Sequence, residues 1–260
     1  MTGRADIPPR VASWGALWPS LLIGGAVLWA GFTADIELSR LADASGRIAE
    51  FLGRMLPPDP SVMPEVLKGT AETLRIAILG SLGCILASVV LGPLAAESLT
   101  PPAIHRPVKL LLALIRAVPL ILVAMLMVGA VGLGPLAGIL AITFHATGML
   151  AKFYAEAIEG VDRRPVAALE SAGATLLQRL RHGTWPQMAP VIVRDTIFRF
   201  ELNLRESLIL GIVGAGGVGF YIQTYVRSFQ YEKAATLTIA VALIVLAIEA
   251  ANAVLRRRVS

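Results

Sequence analysis

Ala117–Ala151 reads AVPLILVAMLMVGAVGLGPLAGILAITFHATGMLA, thirty-five consecutive residues without a formal charge, His145 aside. As one straight helix rising about 1.5 Å per residue it would far overrun a hydrocarbon core of about 30 Å. The chain therefore has to fold back. Gly129-Ala-Val-Gly-Leu-Gly-Pro135 supplies the turn, because three glycines and a proline hold no good helix. The run then divides into a span of roughly Pro107–Val128 and a second of roughly Pro135–Ala151, which predicts an all-α polytopic membrane protein.

Further spans lie to either side. Val11–Ala34 is an uncharged run of 24 residues behind Arg4 and Arg10, too long for a signal-peptide core and suited to a retained first helix. Ile76–Ala96 is uncharged for 21 residues. It forms the core of a second helix starting near Pro64, with Glu65, Lys68 and Glu72 at the interface. A fifth span runs from near Pro190 toward Gly211, and a sixth covers roughly Ala234–Leu255, closed by Arg256, Arg257 and Arg258. Composition agrees: 56% of residues are hydrophobic and 16% charged, with a mean hydropathy of +0.72, whereas a soluble domain carries charge on about a quarter of its residues. About six spans result, in two regions: an N-terminal helix with its external loop over 1–63, and a core transmembrane domain over 64–260. Pro57-Pro58-Asp59-Pro60 reads as an extended linker between them.

Arg4 and Arg10, Arg106 and Lys109, Arg163, Arg164, Arg179 and Arg181, and the terminal arginines all fall on one face. The opposite loops are 35–64, 129–134 and 216–231. The positive-inside rule puts both termini in the cytoplasm. It also accounts for the net charge of +5 without nucleic acid.

The polar segment Ala167–Pro186, AALESAGATLLQRLRHGTWP, interrupts the apolar runs. Asp162 caps a short helix with Pro165 in its first turn, and the helix stops at Gly173. Thr175 and Gln178 have the spacing of a capping box for a second short helix ending at His182-Gly183, with Leu176, Leu177 and Leu180 on its apolar face. Such a loop, spanning about 162–186, either lies on lipid headgroups or docks a soluble partner.

Here the chain resembles permeases of ATP-binding-cassette importers. Gly173 and Pro186 stand where the loop shared by those permeases has its glycine and proline, and Ala168 fits its first alanine. Ala167, Leu169 and Trp185 depart from the pattern, Ala167 standing where a glutamate is expected. Thr73-Leu-Arg-Ile-Ala77, Arg116-Ala-Val-Pro119, Val131-Gly-Leu-Gly-Pro135, Lys152-Phe-Tyr-Ala-Glu-Ala157, and Arg199-Phe-Glu-Leu-Asn-Leu-Arg205 through Gly211-Ile-Val-Gly-Ala-Gly-Gly-Val-Gly219 are similar to the phosphonate branch, which includes phosphite and related oxyanions. The resemblance implies a type I importer fold in the bacterial inner membrane and a second permease copy, identical or similar. It further implies an ATPase dimer carrying ATP and magnesium, and an external substrate-binding protein. It makes Ala168, Glu170, Gly173, Thr175, Arg179 and Pro186 the ATPase-coupling candidates. Importers of methionine, osmoprotectants or sulfonates, and an ion-coupled secondary transporter, are the alternative readings.

Asp195, Arg199, Asn203 and Glu206 project to one face of the fifth helix, and Glu201 and Arg205 to the other. Asp195–Arg199 and Glu201–Arg205 are acid-first pairs four apart. Charges at membrane depth cost roughly 2.5–3.5 kcal/mol each on insertion scales, so this helix packs inside the bundle or near the cytoplasmic interface, away from lipid. Arg116, Arg199, Glu201, Asn203 and Arg205 either pair structurally or line a path, where guanidinium suits a phosphorus oxyanion. Gly211, Gly214, Gly216, Gly217 and Gly219 cluster near the outer end of this span; three of them, Gly214, Gly216 and Gly219, match G-x-G-x-x-G in spacing, but no βαβ unit surrounds them. They are read as an outer hinge or gate, or as close packing.

No G-x-x-x-x-G-K-[ST], nucleophile elbow or metal-spaced cluster occurs. His105, His145 and His182 are scattered, His145 fitting a hydrogen-bonded packing role, and Cys84 is the sole cysteine. The expectation is no catalytic residue, no metal and no cofactor on this chain.

Overall fold

The computed structural model describes residues 17–34 and 43–259, and every regular element in them is helical. The chain divides into two units, Met1–Gly53 and Arg54–Ser260. Arg4, Arg10, Asp35, Glu37 and Arg40 lie outside the described residues.

The first unit holds α1 (Leu17–Thr33) and most of α2 (Ala44–Arg54). Along α1 the large apolar side chains Trp18, Leu21, Leu22, Val27 and Phe32 are exposed, as a lipid-facing span requires. Helix α2 falls within the stretch read as an external loop.

The second unit contains α3 (Met63–Ala95), α4 (Pro102–Ala117), α5 (Leu120–Val131), α6 (Pro135–Glu159), α7 (Arg163–Ser171), α8 (Leu176–Arg179), α9 (Trp185–Leu210), α10 (Val218–Arg227) and α11 (Tyr231–Val259). Helix α6 is its centre. Ala137, Gly138, Ala141, Ala146, Gly148, Ala151 and Ala155 are buried along it, and small residues let backbones approach where lipid supplies no hydrophobic drive. On α3, an added Cβ at Gly80 would come within 2.7 Å of Ile142, and one at Gly92 within 2.7 Å of Tyr154. The outer face of α3, with Leu79, Leu82, Leu86 and Val90, is exposed.

Among the described residues four helical stretches are long and apolar enough to cross a membrane, and the pair α4 and α5 makes a fifth if taken as one broken span. A count of six is reached only by adding the 17-residue α1. The continuous third span expected over Pro107–Val128 is corrected: α4 and α5 meet at 89°. Pro119 lacks an N–H and its ring drives Val118 out of the helical region, to φ −86°, ψ 121°. Gly129 stays helical, so the turn narrows to 132–134. The fourth span runs eight residues beyond Ala151, to Glu159, and the sixth extends from Tyr231 to Val259.

Two of the loops read as external are tied to residues that flank the third, 216–231. Gly134 N–H donates to the Gly214 carbonyl at 3.0 Å, and the Thr236 hydroxyl donates to the Asp59 carbonyl at 2.8 Å. At the other end Lys109 reaches Glu97 at 2.8 Å and Glu159 at 3.2 Å, while Glu159 also accepts from the Glu97 N–H. This clamp joins α4, α6 and the loop after α3.

Lys109 holds the Glu97 carboxyl below its ordinary 4.5, chiefly through their hydrogen bond. A depressed folded-state value stabilises above the unfolded value and is lost as pH falls through the folded one. Glu97→Gln should therefore lower the melting temperature of the purified protein slightly at neutral pH. The difference should shrink as pH falls below 4.5.

Candidate functional site

The helix pair around Gly173 is built largely as its capping residues dictate. Asp162 accepts from Arg164 N–H at 2.9 Å. Gly173, at φ +79°, ends α7 with its N–H on the Glu170 carbonyl, and Ala174 N–H reaches Leu169. Both bonds of a left-handed glycine cap are present. Thr175 and Gln178 form the capping box: Thr175 N–H donates to Gln178 Oε1 at 2.8 Å, and Gln178 N–H to Thr175 Oγ1 at 3.4 Å. The second short helix does not stop at His182-Gly183. After one turn it continues as a π-helical turn, Leu180–Thr184, into α9, whose second residue, Pro186, has no N–H to give the preceding turn.

Glu170 and Arg179 bridge the corner at 2.6 Å. Gly183 is buried against Val166 and Leu169, and Gln187 hydrogen-bonds both Asp162 and the Gly183 carbonyl. The corner is braced from three sides. Outward it shows Leu177 at 74% exposure, with Leu176, Leu180 and Trp185 also exposed. Ala168, and Ala167 in the place of the expected glutamate, are exposed beside them. Thr175→Ala should cost this segment about 1 kcal/mol of helix stability. Faster hydrogen exchange at the Gln178 amide, with α9 unchanged, is the expected reading.

Inside the bundle α9 carries the polar cluster. The two faces separate as expected: Arg199, Asn203 and Ser207 are buried, whereas Arg205 is exposed and pairs with Glu201 at 3.4 Å. The expected Asp195–Arg199 pair is corrected. Arg199 bonds Glu206 at 2.6 Å, two turns along, and Asp195 pairs with its neighbour Arg194 at 3.0 Å. Arg199, only 3% exposed, turns into the bundle and also donates to Met149 Sδ on α6 at 3.4 Å. Asn203 donates to Ser81 Oγ on α3 at 2.9 Å. Arg116 donates to the Gly148 carbonyl at 2.7 Å, so both arginines contact adjacent residues of α6. Tyr154 and Thr196, neither singled out by sequence, join α6 to α9 at 2.7 Å. His145 keeps a hydrogen bond with the Val118 backbone, while its Nδ1 is buried without a partner.

The glycine segment follows directly. Gly211 starts a 3-10 turn after α9. Gly214, Gly216 and Gly217 take φ values of +87°, +83° and +78°, and Gly217 caps α10. Val218 N–H is held by Thr73 Oγ1 at 3.0 Å. Gly219 packs directly on Gly211. Among the described residues no group of His, Cys, Asp or Glu could hold a metal.

The family described as "Binding-protein-dependent transport system inner membrane component" matches residues 88–260. The chain belongs to that family. As such a membrane component it is 35% identical over 246 residues to a phosphite transport system permease protein of Stutzerimonas stutzeri, covering 94% of this chain and 90% of that one. It is also 35% identical to a phosphate-import permease protein of Mycolicibacterium smegmatis, over 89% of this chain and 44% of that longer protein. Among solved structures, a chain of the MetNI methionine ABC transporter in an inward-facing conformation overlays with a TM-score of 0.67 at 21% identity, covering 78% of this chain and 99% of that one. That likeness is one of fold. The permease architecture expected from the resemblance is thereby shown.

Proposed function

We propose that this permease is the transmembrane subunit of an ATP-driven importer of phosphorus oxyanions such as phosphite or phosphonates. The observation that carries the reading is the near full-length identity to a phosphite transport system permease. Arg199, buried in the bundle, supports it, because guanidinium offers several fixed donors to such an anion.

In this reading two permease copies, or this chain and a similar one, form the pathway. An external binding protein delivers substrate, an ATPase dimer holding ATP and magnesium docks in the cytoplasm, and both termini are cytoplasmic. The ATPase grips the exposed apolar face of Leu176, Leu177 and Leu180 at the corner set by Ala168, Glu170, Gly173, Thr175, Arg179 and Pro186. From Leu176 to Leu210 the chain is helical without a stop, about 50 Å of rod at 1.5 Å per residue. A push at the corner is delivered along α9 to Arg199 and Asn203 and then to Gly211, the first residue of the glycine segment. That segment, through Gly214, Gly216, Gly217 and Gly219, serves as the outer gate or hinge. Arg116, Glu201 and Arg205 hold the surrounding helices.

The test is uptake in a phosphorus-starved bacterial host lacking its own importers, given this chain with its ATPase and binding protein. Accumulation of phosphite that excess methylphosphonate suppresses supports the reading. Uptake of methionine or a sulfonate instead would replace it.

A further inference from the structure

The Arg199 guanidinium is short of acceptors. Of its donors, Nη2 meets Glu206 Oε2 at 2.6 Å, Nη1 meets only a thioether, and Nε is buried with no partner. One turn further, Asn203 is wholly buried. Its amide nitrogen is spent on Ser81, and its Oδ1 is buried with no partner. Buried polar atoms are almost always bonded, so two unsatisfied ones on a single helix face need an explanation. Residues four apart on a helix are neighbours, about 5–6 Å between Cβ atoms. A donor edge and a bare acceptor therefore lie one turn apart on the buried face of α9, Arg199 turned toward α6 and Asn203 toward α3.

The guest complementary to that pair is a small oxyanion that keeps one protonated oxygen. Its bare oxygens accept from Nε and Nη of Arg199, and its O–H donates to Asn203 Oδ1. The monoanion of a phosphorus oxyacid has this pattern, whereas sulfate has no O–H to give. Glu206 fits the same scheme. Its side chain is 23% exposed, so it sits at the edge of the cluster, and its carboxylate gives Arg199 one charged acceptor oxygen, Oε2, where the guest would give two.

We propose that Arg199 and Asn203 form a transient oxyanion seat in the bundle, that Glu206 fills it at rest as a surrogate anion, and that the passing substrate displaces the Glu206 carboxylate. The inference rests on the phosphorus-oxyanion reading above. The surrogate also empties the seat: when the helices move, the returning carboxylate expels the guest, so a buried arginine does not trap its own substrate.

Glu206→Gln keeps the shape and a hydrogen bond but removes the competing charge. In the full-length chain in lipid nanodiscs, isothermal titration with phosphite should show affinity raised about tenfold or more over the unsubstituted protein, because the charged acceptor is the stronger one. Adding Arg199→Met should abolish the gain in protein that still elutes as a single species. Unchanged affinity in folded Glu206→Gln means a purely structural ion pair and overturns the proposal. A second measurement needs no substitution: in infrared difference spectra, saturating phosphite should shift a carboxylate stretching band and sulfate should not. No phosphite-specific shift also overturns it. Phosphite uptake by cells with the unsubstituted chain separates the two readings, since uptake without these signatures sinks the seat alone, and no uptake of any phosphorus oxyanion sinks the transport reading.

Discussion

Gly211→Ala is expected to be among the most damaging single-methyl changes in the bundle. Gly211 has ordinary helical angles, φ −57°, ψ −33°, so alanine meets no backbone strain there. The obstacle is contact. A Cβ at Gly211 would lie 2.6 Å from Gly219 Cα and 2.6 Å from Phe220 N, both main-chain atoms that no side-chain rotation can clear. Either α10 separates from the end of α9, or the 3-10 turn distorts and disturbs the Gly134–Gly214 hydrogen bond beside it. Overpacking of this kind costs about 1–3 kcal/mol, and rigid backbone on both sides puts it at the upper end. Gly129→Ala is the control, being helical with nothing within 4 Å of an added Cβ. Alanine there should be neutral or stabilising. The check is the melting temperature and yield of monodisperse protein, with Gly211→Ala falling in both and Gly129→Ala in neither. Equal behaviour would show that the Gly211–Gly219 contact is loose.

Arg199→Ala should be nearly as severe, for an electrostatic reason. Removing one member of a buried pair strands the other, at a cost of about 3–5 kcal/mol, whereas removing both is often neutral. Arg199→Ala leaves the largely buried Glu206 without its cation, and should yield little folded protein and no transport. The double variant Arg199→Met, Glu206→Gln should restore folded yield while transport stays lost. That separation distinguishes a pair that only holds helices from one that also meets substrate. Full transport by the folded double variant would confine the pair to packing.

The parts of the fold legible in sequence are those with local causes. The capping box at Thr175–Gln178 and the glycine stop at Gly173 follow from side chains reaching their own backbone within four residues. Two loops read as external from lysine and arginine counts are tied, through Gly134–Gly214 and Asp59–Thr236, to residues flanking the third. The misses have tertiary causes. Pro119 sits in a run apolar enough to hide a right-angled break, though the proline itself was the available signal. The second short helix continues because α7 packs on Gly183 and holds the π-helical turn, contacts invisible along the chain. In the candidate site, sequence found the buried face of α9 but chose the wrong partner for Arg199. Spacing of four favours Asp195 on an isolated helix, while in the bundle Arg199 turns inward to Glu206 and Asp195 stays with Arg194. Lys109, counted only as a topological charge, proved to clamp Glu97 and Glu159, a contact between distant segments that no local spacing encodes.

The most direct test of the central claim is reconstitution. The tagged chain, purified from membranes with whatever binds it and placed in proteoliposomes with its binding protein, is assayed for vanadate-sensitive ATP hydrolysis and phosphite accumulation together. The account predicts a co-purifying ATPase whose hydrolysis phosphite stimulates and whose inhibition stops accumulation. A chain that purifies without an ATPase and still moves phosphite down an ion gradient would contradict it.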